Sequence, residues 1–173
     1  MSLTAKVEVN IAALLQATLD LVTPSCSFPL TYTPLNLTSG TGANQADKIW
    51  SDTRSIAASS SEDIHVYDFS GGTDALGGTL ALARVKMLLI VNKSTTAGDI
   101  LRVGGKANST AWTSPFNGST TATVDVAPGG LLLLAAPSAA AFSVSDPNHV
   151  LKIANVSTAN SVSYDIIVIG ASA

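Results

Sequence analysis

Apolar and polar residues alternate one by one along much of this chain, and turn-forming residues cut the alternation roughly every 8 to 15 residues. A period of two places successive side chains on opposite faces of an extended strand, so this pattern commits the chain to sheets. Lys6-Val7-Glu8-Val9-Asn10 alternates cleanly, and Glu62 to Phe69 sets Ile64 and Val66 against Asp63, His65 and Tyr67. No long stretch repeats apolar residues at helical spacing with charges opposite. The best helix candidate, Ile11 to Val22, also reads as alternation and is assigned to a strand. The expected fold class is therefore all-β: a jelly-roll-like antiparallel β-sandwich with an extended N-terminal segment, with an immunoglobulin-like sandwich second.

Further strands are expected over Lys48 to Ala57, Thr79 to Asn92, Ile100 to Val103, Ala141 to Ser145, His149 to Val156 and Ser161 to Ile169. The second half of Thr79 to Asn92 is apolar on both faces, as in a buried central strand. Thr121 to Val126, the turn Pro128-Gly129-Gly130 and Leu131 to Leu134 read as a hairpin. Ser27 to Leu37 carries Pro29 and Pro34, which remove ladder donors and point to an edge strand or an arm. These segments divide into a strand or arm over residues 1–38, placed at a subunit interface, and a sandwich of about eight strands over residues 39–173.

Only 12% of the 173 residues are charged while 46% are hydrophobic, and the mean hydropathy is +0.37. So apolar a surface needs a cover, from lipid or from protein. Lipid is the weaker choice, because the run Met87 to Val91 is bracketed by Lys86 and Lys93, and Leu131 to Ala136 stops at Pro137. The first residues, with Lys6 and Glu8, lack the apolar region of a signal peptide. A net charge of −3 without a Lys/Arg cluster excludes a phosphate-backbone footprint. Cys26 is the lone cysteine and is expected as a small buried hydrophobe.

Candidate chemistry is sparse. Asp63-x-His65, with Tyr67 next on the same face, has the spacing to hold a metal or orient a base, but also that of a solvated polar face, which is the preferred reading. His149 follows Asp146-Pro147-Asn148 and is expected to be exposed on a loop. Glu62 and Asp63 are adjacent, so on a strand they point apart and make no carboxylate pair. Asp47, Asp52 and Arg54 cluster around Trp50, as an ion-paired interface patch or a sugar or peptide site. The other tryptophan, Trp112, is expected in packing. The Gly-rich pieces Gly40-Thr41-Gly42 and Gly104-Gly105-Lys106 lack phosphate-loop spacing. No enzyme activity, cofactor or metal is expected.

Several blocks carry a wider likeness: Thr18-Leu19-Asp20-Leu21, Gly40 to Arg54 (GTGANQADKIWSDTR), Thr73-Asp74-Ala75-Leu76-Gly77, Leu101-Arg102-Val103-Gly104-Gly105, Ala127-Pro128-Gly129-Gly130 and the ending Tyr164 to Gly170. With these the chain resembles tailed-bacteriophage virion structural proteins over almost its whole length; Cys26 to Leu37 departs most. The resemblance implies a capsid decoration, or cement, protein: a symmetric β-sandwich homotrimer on the outer surface of the virion head, clamping the major capsid protein. Partners are then the major capsid protein and sister copies, with no nucleic acid and no membrane.

Two regions are the expected contacts. One is the N-terminal segment, with Leu3, Val7, Leu19, Leu21, Phe28 and Tyr32. The other is Trp50, Asp52 and Arg54, and the apolar run adds Leu131 and Leu133. The rival roles are a tail-fibre, tailspike or head-fibre module binding host glycan, and a tail-tube or connector protein.

Overall fold

A computed structural model describes residues 2–18, 20–74 and 76–172. The chain runs through β1 (Ala5–Gln16), β2 (Ser25–Ser39), β3 (Gln45–Ala46), β4 (Lys48–Ile56), β5 (Ser61–His65), β6 (Arg84–Asn92), β7 (Leu101–Gly104), β8 (Thr123–Val126), β9 (Leu131–Ala135), β10 (Phe142–Ser143), β11 (Val150–Asn155) and β12 (Val162–Ala171). The only helical piece among the described residues is one 3-10 turn, Ser114–Phe116. The protein is all-β, as the alternation demanded, and eight strands after β3 have four or more residues.

Two antiparallel sheets face each other. One is ordered β10-β6-β12-β4, with β9 on the same edge of β6 as β10; the other is ordered β5-β11-β7-β8. The main core lies between them. Leu88, Ile90, Tyr164, Ile166 and Val168 come from the first sheet, and Ile64, Leu101, Val103, Leu151 and Ile153 from the second. Trp112 seals the core from a loop, its Nε1 donating to the Ser143 carbonyl at 2.8 Å. This is the sandwich arrangement, with apolar faces turned inward.

The intervening residues of β6 and β12 point the other way and are also covered. Met87 and Ile169 are buried under Leu35 and Leu37 of β2, with Leu3, Ala5 and Val7 alongside. β1 and β2 form an antiparallel hairpin, and its base is thus a third layer on the five-stranded sheet. This explains why β6 is apolar on both faces. Lys86 reaches out of this layer, its Nζ donating to the carbonyls of Gly42 and Ser138. Gly170 sits at the register shift between β12 and β6, where a Cβ would strike the Arg84 carbonyl.

One expected pairing and two expected strand extents need correction. β8 and β9 flank the Pro128-Gly129-Gly130 turn but do not pair: β8 joins β7 and β9 joins β6, in opposite sheets. The turn is a corner between sheets, tied by Asn92, whose Nδ2 donates to the carbonyls of Asp99 (2.7 Å) and Val126 (3.0 Å). Strand character in Thr79 to Asn92 begins only at Arg84, and the strand from Glu62 ends at His65.

Candidate interaction surface

The hairpin changes character along its length. Up to Val7 paired with Leu35 it lies on the body; beyond, from Val9 paired with Tyr32, it stands free. A bulge in β2 marks the change, where Thr33 and Pro34 together oppose Glu8. The stretch from Val9 to Gln16 carries the hairpin roughly 25 Å at the rise of a β-strand, and an Ala17 N–H to Pro24 carbonyl bond of 3.1 Å closes its tip.

Because of the bulge, one face stays apolar throughout. Val9 opposes Tyr32, Ile11 opposes Leu30, Ala13 opposes Phe28 and Leu15 opposes Cys26. This face continues the one that Val7, Leu35 and Leu37 press onto the body, yet here nothing covers it. Ile11 is 51% exposed, Phe28 59%, Leu30 57% and Tyr32 63%. The reverse face is mostly polar: Lys6 pairs with Glu8 at 2.6 Å, the Thr31 hydroxyl donates to Asn10 Oδ1 at 2.5 Å, and Gln16, Ser25 and Ser27 follow, with Leu14 and Ala12 among them.

The area makes the point quantitative. A compact monomer of this mass exposes about 7,900 Å². This chain exposes 9140 Å². The excess, on the order of 1,200 Å², exceeds the ~800 Å² that each partner gives to a standard protein interface.

The expected contact residues fall into distinct places. Leu3, Val7 and Leu133 pack on the second apolar cluster within the chain, while Leu131 is exposed at the start of β9. Phe28 and Tyr32 stand on the free arm face, Leu21 is almost wholly exposed at its tip, and Leu19 lies outside the described residues. Cys26, expected to be buried, is exposed on the arm face. Pro29 and Pro34 pointed to an edge strand or an arm here, but nothing in the sequence placed Cys26 on the face that the body leaves uncovered.

Trp50, Asp52 and Arg54 lie on the inner side of β4, at the open edge of the sandwich opposite β5. Arg54 Nε donates to Glu62 Oε2 at 2.6 Å and Nη1 to Asp52 Oδ2 at 2.9 Å. The Tyr164 hydroxyl donates to the other Glu62 oxygen at 2.8 Å. Burial lowers the Arg54 pKa, but Glu62 and Asp52 more than offset this and leave it above the ordinary arginine value. Burial, and then the bond to Glu62, push the Tyr164 phenol far above its ordinary value. These charges are spent on one another, and they clasp β4 to β5. Asp47 is not in the group; it caps the C-terminal strand, accepting from the Ser172 N–H (2.9 Å) and hydroxyl (2.5 Å).

Beside the clasp is a cavity of about 120 Å³ lined by Trp50, Arg54, Asp63, Ile64, His65, Phe69 and Ser70. Trp50 stacks on Phe69 with centroids 4.3 Å apart, and Asp63 is ion-paired with Lys106. His65 meets His149 across the sheet edge, ring nitrogens 3.2 Å apart. His149 is nearly buried, against the expected exposed loop, with Nδ1 3.5 Å from Asp146 Oδ1. The His65–Tyr67 strand face does not form, since Tyr67 is already in a turn. Sequence spacing could not reveal two histidines 84 residues apart as partners. Among the described residues no three His, Cys, Asp or Glu side chains converge as a metal ion requires. The sequence matches no protein-family model and no curated protein, and the fold matches no solved structure.

Proposed function

We propose that this chain is a bacteriophage capsid decoration protein, a homotrimer that binds the major capsid protein on the outer surface of the virion head and stabilises the shell. The observation that carries the assembly part of this reading is the uncovered apolar face of a projecting hairpin, with Ile11, Phe28, Leu30 and Tyr32 exposed. The head is favoured by the resemblance of the Gly40 to Arg54 block and the C-terminal Tyr164 to Gly170 strand to virion structural proteins. Polar side chains in this protein are largely consumed in structural bonds, which suits a binding role and not a catalytic one. The mechanism is mass action: a ligand that binds only the assembled shell stabilises it by about 2.7 kcal/mol at a hundredfold excess over Kd.

The test is to add purified protein to phage heads lacking it. Saturable co-sedimentation and DNA release at a higher temperature are the expected results. Failure to bind heads while binding tails or host cells overturns the capsid assignment. A second reading, a fibre module for host glycan, is favoured by the cavity beside stacked Trp50 and Phe69, since aromatic faces bind sugar rings. A glycan array signal lost in Trp50→Ala would support that reading.

A further inference from the structure

We propose that the free apolar face of the hairpin is a contact between copies of this chain, in which the arms of three subunits run parallel about the threefold axis with these faces turned inward and their tips together. The inference deepens the oligomeric part of the proposed function and is independent of the capsid.

Four features select this occupant. The face is long and apolar, and it carries no charged side chain, so like surfaces meet without repulsion between equal charges. Elsewhere among the described residues, the large hydrophobics more than 36% exposed are scattered: Leu76, Val124, Leu131 and Val156, with Leu21 and Val22 at the arm's tip and Leu14 on its reverse face. The body therefore offers no patch of matching extent, and the surface that does match is the same face on another copy. In a ring closed about one axis, each copy of this face meets its neighbours' copies of the same face. The outer edge of β2 is blunted by Pro29 and Pro34, which disfavours edge-to-edge strand addition on that side of the arm. Finally, the polar reverse face, with its Lys6–Glu8 and Asn10–Thr31 pairs, suits the outer, water-facing side of such a contact.

The native cysteine reports on this arrangement. Cys26 lies on the apolar face near the tip, opposite Leu15. If arms meet, the Cys26 thiols of two copies come within reach of a short bis-maleimide. Each thiol adds across one maleimide double bond, sulfur bonding one carbon and the proton going to the other, so no oxidant is needed. The experiment treats dilute full-length protein with this reagent and reads covalent dimer by denaturing electrophoresis, alongside native mass.

The expected result is covalent dimer from the native protein and none from urea-unfolded protein or Cys26→Ser. Leu30→Asp should reduce the dimer at least tenfold and shift the native mass to monomer. Leu30 lies outside both core clusters and is 57% exposed, so the Leu30→Asp monomer should keep the wild-type β-sheet circular dichroism spectrum and unfold cooperatively, without the stability that association adds. Three outcomes overturn the proposal. One is a monomer whose Cys26 is alkylated singly. Another is an oligomer that Leu30→Asp leaves intact or that gives no cross-link, which would place the arm elsewhere. The third is a monomer that partitions onto phosphatidylcholine vesicles, which would make lipid the cover. None of these depends on phage heads, so failure here and failure of head binding are separate results.

Discussion

Two buried asparagines hold the corners of this sandwich. Asn92 ends β6 and Asn155 ends β11, and each spends its amide on carbonyls that a turn would otherwise leave unpaired. Asn155 Nδ2 donates to Ile56 (3.0 Å), Ala57 (3.2 Å) and Asn160 (2.8 Å), while its Oδ1 accepts the Ser157 N–H at 2.9 Å. Asn155→Ala strands several buried backbone groups and should destabilise by about 2–3 kcal/mol in urea unfolding. Between the two asparagines, the Asp99 carboxylate accepts from Ser94 (2.7 Å) and Asn160 (3.2 Å). The Ser94 hydroxyl above all, then those of Ser157 and the Asn160 amide, hold its pKa below the ordinary aspartate value. A depressed folded pKa contributes stability above the unfolded value near 3.9, and that stability is lost as pH falls through the folded value. Asp99→Asn should therefore flatten the loss of stability between about pH 5 and pH 2, measured as the urea midpoint against pH. An unchanged acid limb would remove Asp99 from this role.

At the scale of elements, one hairpin has two fates. Leu37, fully buried in the second cluster, and Leu30, exposed on the arm, occupy the same strand. Leu37→Ala should cost about 2–5 kcal/mol of unfolding free energy, by lost transfer energy and a cavity. Leu30→Ala, measured on monomer, should stay within about 0.5 kcal/mol, as surface substitutions do. Amide exchange should likewise be slow at the paired base and fast outward of Val9 in any monomer, and slow throughout in the assembly. The elements themselves were legible from the sequence, because alternation along β1, β2, β11 and β12 is written in consecutive residues. The doubly apolar β6 also announced its central position. Partner choice was not legible: the strong hairpin signal at Pro128-Gly129-Gly130 is local, whereas β8 and β9 are drawn apart by non-local pairing with β7 and β6. The Arg54–Glu62–Tyr164 clasp was half visible, since Arg54 and Asp52 are neighbours but Tyr164 lies 102 residues from Glu62. The arm's free face followed from no residue alone; it required knowing that the bulge at Pro34 keeps one face apolar after the body has ended.

The whole molecule is a small sandwich with a third layer that overshoots it. Its core accounts for the buried leucines, isoleucines and valines, and the arm carries most of the large hydrophobics left exposed among the described residues. Low charge, which would make a lone monomer of this shape prone to adhere, is consistent with a chain whose working form is an assembly. The proposed trimer on a capsid would satisfy this twice, by covering the arms among sister copies and by seating the body on a shell. The claim on which both depend is that the arm is covered by another protein surface. Sedimentation equilibrium of the purified full-length chain over a wide range of concentration tests it directly. The account predicts a discrete species at three times 17.6 kDa that persists on dilution; a 17.6 kDa monomer at every concentration, with its arm still exposed, would contradict it.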